Sequence, residues 1–174
     1  MDADLEGEEQ VGVIDETGTV VDVVARSLVR RDNLPHQVVA ILVRDSGGRV
    51  FVHRRTETKD VFPGLYDAFV AGTVTAGEAL EDAARRELAE ELGIRDVELL
   101  PRFSQWYADG HTRHLAHVWG TTWDGPVVLQ SDEIAWGGWL TVADLEARLR
   151  DPQWPFVPDG RALLTTLGFG SAPR

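Results

Sequence analysis

The sequence predicts an α/β or α+β sandwich folded as one domain, on three observations. Short β-branched runs recur along the chain, one segment has the composition of a strong amphipathic helix, and no repeat, low-complexity tract or long linker divides the 174 residues. With 43% hydrophobic and 26% charged residues, the chain has the apolar material for one sizeable core.

The first ten residues are acidic and expected to be frayed, which leaves residues 11–174 as the domain. Residues 11–14 and 20–24 form short strands around the turn Asp15-Glu16-Thr17-Gly18, a small N-terminal β-hairpin. Residues 37–44 and 49–54 are β-branched runs joined by Asp45-Ser46-Gly47-Gly48, a second hairpin expected in the central sheet. After a Pro63-Gly64 turn, residues 65–74 form an apolar strand interrupted by Gly72. Residues 79–92, rich in Ala, Leu, Glu and Arg, form a helix that Gly93 closes at its C-cap. Residues 97–107, 114–121, 127–129 and 135–140 supply further strands. Thr141 caps a helix running to about Leu149, and a last short helix covers residues 160–167.

Charge and composition exclude several classes of function. A formal charge of −12 argues against broad binding to DNA or RNA, which draws its affinity from clustered Lys and Arg. A small phosphorylated ligand needs only a few local cations and a divalent metal, so it stays compatible with this acidity. No apolar run approaches the roughly 18 residues of a membrane span, and the N-terminal residues are acidic where a targeting segment is basic. A cytoplasmic protein with no membrane partner is expected. The absence of cysteine removes disulfides, cysteine-ligated zinc and any thiol nucleophile.

The chemistry concentrates on the helix at 79–92. Glu87, Glu90 and Glu91 stand at i, i+3 and i+4, so they converge on one face within a turn. At about 100° per residue, Leu80, Ala84, Leu88 and Leu92 form the apolar face, and the three glutamates border it. Like charges this close repel, and a hard divalent cation with oxygen ligands relieves them. Taken alone, such a trio also fits a solvated helix face. The surrounding string is more specific: Gly72, five residues, Glu78, seven residues, then Arg86-Glu87-Leu88-Ala89-Glu90-Glu91-Leu92-Gly93-Ile94. It resembles the signature of the Nudix hydrolases at every fixed position.

That resemblance implies a Nudix-type α/β/α sandwich with a central mixed sheet and a catalytic metal held by the helix. Glu87, Glu90 and Glu91 are then the Mg²⁺ ligands, with Mn²⁺ as a substitute, helped by the carbonyl of Gly72. Arg86 and Glu78 hold these ligands in place, which suits a guanidinium able to orient a carboxylate. The implied reaction is attack of water at phosphorus in a nucleotide diphosphate linkage. Glu87 or Glu133 is the general base. A protein that binds nucleotides without turning them over is the alternative from another functional class.

Outside the box, Leu34-Pro35-His36, Val52-His53-Arg54-Arg55 and the stretch from Lys59 to Asp67 are similar to the branch that includes isopentenyl diphosphate isomerase and its hydrolase relatives. The isomerase moves protons at carbon with a cysteine, and here Ala71 stands in the corresponding stretch before Gly72. Its histidine-rich metal site is incomplete too, because His36 matches one position while Thr73 replaces another histidine. Hydrolysis is therefore the expected reaction. In the same branch Arg54, Arg55 and Lys59 align with diphosphate contacts, and Tyr66 and Trp106 are candidates for stacking on a base. His111, His114 and His117 do not make a zinc site, since three-residue spacing in a strand splits them between faces.

Overall fold

The computed structural model describes residues 7–170, which build one mixed sheet with helices on both faces. A hairpin of β1 (Gln10–Ile14) and β2 (Val20–Ala25) leads into a short helix α1 (Arg26–Arg31). Strands β3 (His36–Arg44), β4 (Val50–Arg55), β5 (Tyr66–Asp67) and β6 (Phe69–Thr73) precede helix α2 (Leu80–Leu92). Then come β7 (Leu100–Ala108), β8 (Arg113–Thr122), β9 (Ile134–Leu140), α3 (Val142–Arg150) and α4 (Pro158–Thr166).

Strand β3 is the spine of the sheet. It runs parallel to β8, from His36 opposite His114 to Arg44 opposite Thr122, and antiparallel to β6, where Val39 faces Gly72. Its sequence is apolar on both sides, as a strand covered on two faces must be. Val39, Ile41 and Val43 pack with Ala83, Ala84, Leu88 and Leu92 of α2, whereas Ala40 and Leu42 pack with Leu145 of α3 and Leu163 and Leu164 of α4. The period of two thus assigns each side chain to one of two cores. Strand β4 joins β3 only at the Arg44–Val50 pair and then pairs with β5 and β9.

Helix α2 ends as its sequence directs. Gly93 takes the left-handed conformation at φ 68°, and the amides of Gly93 and Ile94 return to the carbonyls of Ala89 and Leu88 at 3.2 Å each. Thr141 caps α3 by accepting the Asp144 amide at 3.1 Å.

Several expectations are corrected. Residues 8–10 are not frayed: Gln10 opens β1, and the Glu8 carboxylate accepts from the Ser27 amide at 2.7 Å and its hydroxyl at 3.0 Å. The rest of that N-terminal stretch, residues 1–6, lies outside the described residues. The strand expected at 65–74 divides at Ala68, because the Asp67 carboxylate takes the Phe69 amide at 3.0 Å. The strand expected at 127–129 is absent. Its amides serve α2 instead: Val128 donates to Leu92 at 2.9 Å and Gln130 to Glu91 at 3.0 Å, which satisfies carbonyls left free at the helix end. Among the described residues, no helix is long and apolar enough to cross a membrane.

Candidate functional site

Two cavities meet beside Gly72. One, on the α2 side, is walled by Glu87, Glu90, Glu91 and Glu133 together with Arg86. The other, on the α4 side, contains Arg30, Arg55, His36, His114, Asp67 and Asp159. Arg26, Lys59, Ala71, Gly72 and Thr73 line both. The strand alternation explains the division, because Ala71 packs in the α3/α4 core while Gly72 faces α2.

Gly72 and Glu87 touch. A Cβ placed on Gly72 would lie 2.0 Å from Glu87 Cδ and Oε1 and 2.5 Å from Oε2. Gly72 has no left-handed φ, so it is the contact and not the backbone that requires glycine here. The carboxylate is thereby held against the strand.

Arg86 organises the rest. Its Nε and Nη2 donate to the two Glu78 oxygens at 2.9 and 3.0 Å, Nη2 also reaches the Thr73 carbonyl at 3.2 Å, and Nη1 donates to Glu87 Oε1 at 2.6 Å. Glu78 is fixed further by the Thr75 amide at 3.1 Å. The guanidinium holds Glu78 below the usual carboxylate range. Glu87 behaves otherwise. Its burial raises the carboxyl above the usual range against the pull of Arg86, whose charge is shared with Glu78. Burial also pushes Glu91 well up, and the neighbouring Glu87 adds to the shift. Glu90 is more open to solvent and lies 3.5 Å from Arg86 Nη1.

Glu133 enters the same cavity from the loop before β9, held by an ion pair with Lys59. The Thr56 amide donates to the Glu133 carbonyl at 3.1 Å, which ties this loop to the segment carrying Lys59. Arg55 reaches the adjoining cavity, although its Nε and Nη2 donate to the Val61 carbonyl at 3.1 and 2.8 Å.

Three of the expected substrate contacts are elsewhere. Arg54 donates to the Gly64 carbonyl at 2.9 Å and pairs with Glu57 at 2.5 Å, so its guanidinium is committed away from both cavities. Tyr66 packs between Trp136 and Trp154 in the second core. Trp106 is 41% exposed on β7, across from Leu115, and lines neither cavity. His114 and His117 face opposite sides of β8, and His117 bonds Ser104 at 2.8 Å.

The sequence reading missed Arg26, Arg30, Asp67, His114 and Asp159. For the arginines a signal existed, an i, i+4 pair of cations just after the first hairpin. The others are assembled by sheet pairing and carry no local pattern.

The Nudix domain family model matches residues 34–160. The chain belongs to the Nudix family. A Nudix hydrolase of Rhodococcus erythropolis is 40% identical over 174 residues, spanning 93% of this chain and 94% of that protein. Escherichia coli YfcD, also named a Nudix hydrolase, is 37% identical over 159 residues, spanning 89% and 84%. Among solved structures, DR0079 of Deinococcus radiodurans superposes with a TM-score of 0.77 at 27% identity, covering 91% of this chain and 98% of that one. The MutT protein of Methanosarcina mazei shares the fold, with a TM-score of 0.64 at 20% identity over 77% and 93% of the two chains. This Nudix protein is an enzyme acting on phosphorus-containing anhydrides.

Proposed function

We propose that this Nudix hydrolase is a Mg²⁺-dependent pyrophosphohydrolase, with Mn²⁺ able to substitute, that cleaves diphosphate linkages in nucleoside di- or triphosphates or related nucleotide derivatives. The observation that carries this reading is the pressing of the Glu87 carboxylate onto Gly72, next to the buried Glu91. Two neighbouring buried carboxylates require either protonation or a cation between them.

The donor set fits a hard divalent ion. Glu87, Glu90 and Glu91 offer carboxylate oxygens, and Gly72 adds a carbonyl that no side chain covers. Among the described residues, no three acidic or histidine side chains close into a ready-made cage. The carboxylates instead form one wall of an open cavity, the arrangement expected where phosphate oxygens and water complete the coordination. When bound, the ions would neutralise charge developing on the phosphoryl group.

The chain's own residues supply the rest. Arg86 and Glu78 fix the rotamer of Glu87. Arg26 and Lys59, shared by both cavities, meet the phosphates, with Arg55 beyond them. Glu133 takes the proton from the attacking water. Among the described residues, the Glu133 carboxylate is held by Lys59 alone, whereas the Glu87 carboxylate is confined between Gly72 and Arg86. The reading is tested with Glu87→Gln and Glu90→Gln, checked for fold, on a panel of nucleotides with Mg²⁺. Loss of phosphate or diphosphate release supports it, while full hydrolysis by both folded variants refutes it. Tight nucleotide binding by the wild type without any release would make the protein a binding module.

A further inference from the structure

The cavity on the α4 side has a floor that the carboxylate wall does not use. His36 is 1% exposed and Asp67 is 5% exposed, and both line this cavity. His36 Nδ1 lies 2.9 Å from the Leu34 carbonyl. A carbonyl only accepts, so Nδ1 carries the proton and Nε2 keeps its lone pair. That Nε2 is buried with no hydrogen-bond partner. Such an atom requires a partner from a ligand or water.

Asp159, in the first turn of α4, accepts the Gly160 amide with Oδ1 at 2.8 Å. Its Oδ2 lies 3.8 Å from His114 Nε2, beyond hydrogen-bond reach. Arg30 Nε is a second buried orphan, since its 3.0 Å approach to Asp60 Oδ2 is not aligned as a hydrogen bond. Burial and the facing Asp159 push Asp67 up to about 7, and burial raises Asp159 as well. Among the described residues, the protein thus leaves His36 Nε2 and Arg30 Nε on this floor without a hydrogen bond, beside the carboxyl groups of Asp67 and Asp159.

Its position gives this consequence. Arg26, Lys59 and Gly72 belong to both cavities, so a phosphoanhydride lying along the carboxylate wall has a continuous path for its organic end onto this floor. The buried space there is about 80 Å³, room for the polar tip of an organic end and not for the whole of it. A hydrocarbon end would cover His36 Nε2 and both carboxyl groups without offering any of them a hydrogen bond. A hydroxyl or amino group would satisfy them.

We propose that His36, Asp67 and Asp159 form the specificity-determining floor of the substrate cavity, selecting phosphoanhydrides whose organic end carries hydroxyl or amino donors and rejecting those that end in hydrocarbon. This rests on the hydrolase reading above for the placement of the phosphates. It goes beyond it by naming which half of the molecule is recognised, and by what.

The test is calorimetric titration of the full chain, with Mg²⁺, against two non-hydrolysable ligands sharing a methylene-bridged diphosphonate head. One carries a nucleoside and the other an alkyl chain. The wild type is expected to bind the nucleoside ligand at least about tenfold more tightly, since a hydrogen-bonding site penalises a partner that lacks the donor. Asp159→Leu, which makes the floor apolar, should remove that preference, and His36→Phe provides a second variant if the first does not fold. Circular dichroism and melting confirm the fold of each. Equal affinity of the wild type for both ligands, binding of neither, or an equal loss for both ligands in the folded variants overturns the proposal. Turnover of the hydrolysable parent compounds by the same preparation judges the hydrolase reading separately. Hydrolysis without preference overturns this inference alone, and preferential binding without hydrolysis overturns only the hydrolase reading.

Discussion

Replacing Gly72 with alanine isolates the contact on which the candidate metal wall rests. The new Cβ would stand 2.0 Å from Glu87 Cδ and Oε1, whereas real Cβ atoms keep at least 3.0 Å. One partner must move by about 1 Å. Strand β6 is fixed by its antiparallel pairing with β3, where Gly72 faces Val39, so the yielding group is the flexible end of Glu87. The displaced carboxylate gives up its 2.6 Å bond from Arg86. A charge-assisted bond of this kind is worth about 1.5–3 kcal/mol, and replacing a strand glycine returns about 0.5–1 kcal/mol of chain entropy. The net loss of about 0.5–2.5 kcal/mol corresponds to roughly 1–10 °C in Tm for a chain of this length, so the variant remains folded. Turnover suffers far more, because a displacement of about 1 Å in a reacting site costs on the order of 100-fold. Steady-state kcat across a Mg²⁺ titration, with a thermal melt of the same sample, measures both effects. A folded variant keeping more than about a third of wild-type kcat would show that the Gly72–Glu87 contact does not position a functional group.

Three further outcomes are expected. Arg86→Lys cannot reproduce the paired bonds to Glu78 together with those to Glu87 and the Thr73 carbonyl, so kcat should fall about 10- to 100-fold and metal affinity should weaken in the same titration. Glu133→Gln should lower kcat by about 10²- to 10⁴-fold with KM nearly unchanged, and a variant with wild-type kcat removes Glu133 from the role of base. His53 is wholly buried, and burial, with Arg55 and Lys59 nearby, lowers its pKa from 6.5 to about 3. Between these values the unfolded chain binds a proton that the folded chain does not, so stability is complete above pH 6.5 and is lost as pH falls. His53→Gln should therefore flatten the unfolding free energy against pH by about 1.4 kcal/mol per unit between pH 6 and 4, measured by urea titration, and an unchanged slope would refute the assignment.

What the sequence disclosed about the site was the part encoded within one helix and the turn before it. Arg86, Glu87, Glu90 and Glu91 lie within two turns of α2, and helical periodicity alone determines which of them share a face. Gly93 marked the helix end for an equally local reason, because the left-handed conformation there favours glycine. The segment at 127–129 failed on the same ground. Its β-branched residues have the composition of a strand, but the amides of Val128 and the following Gln130 were taken by the open carbonyls at the end of α2, and composition carries no information about that competition.

The substrate side of the cavity was illegible because tertiary pairing builds it. His36 and His114 are brought together by the parallel register of β3 and β8, and Asp67 is placed by its pairing with His53. Asp159 arrives through the bridge of Tyr66 to Phe156 just before α4. None of these separations has a period that could be found in the chain. The basic pair at the end of β4 shows the limit most sharply. Arg54 and Arg55 are chemically identical neighbours, but successive strand residues point to opposite faces and the register shifts between these two. Arg55 consequently reaches the cavity, and Arg54 is left with Gly64 and Glu57. Local charge identified the cluster as basic, but only the pairing of β4 with β5 and β9 decides which guanidinium can meet a phosphate.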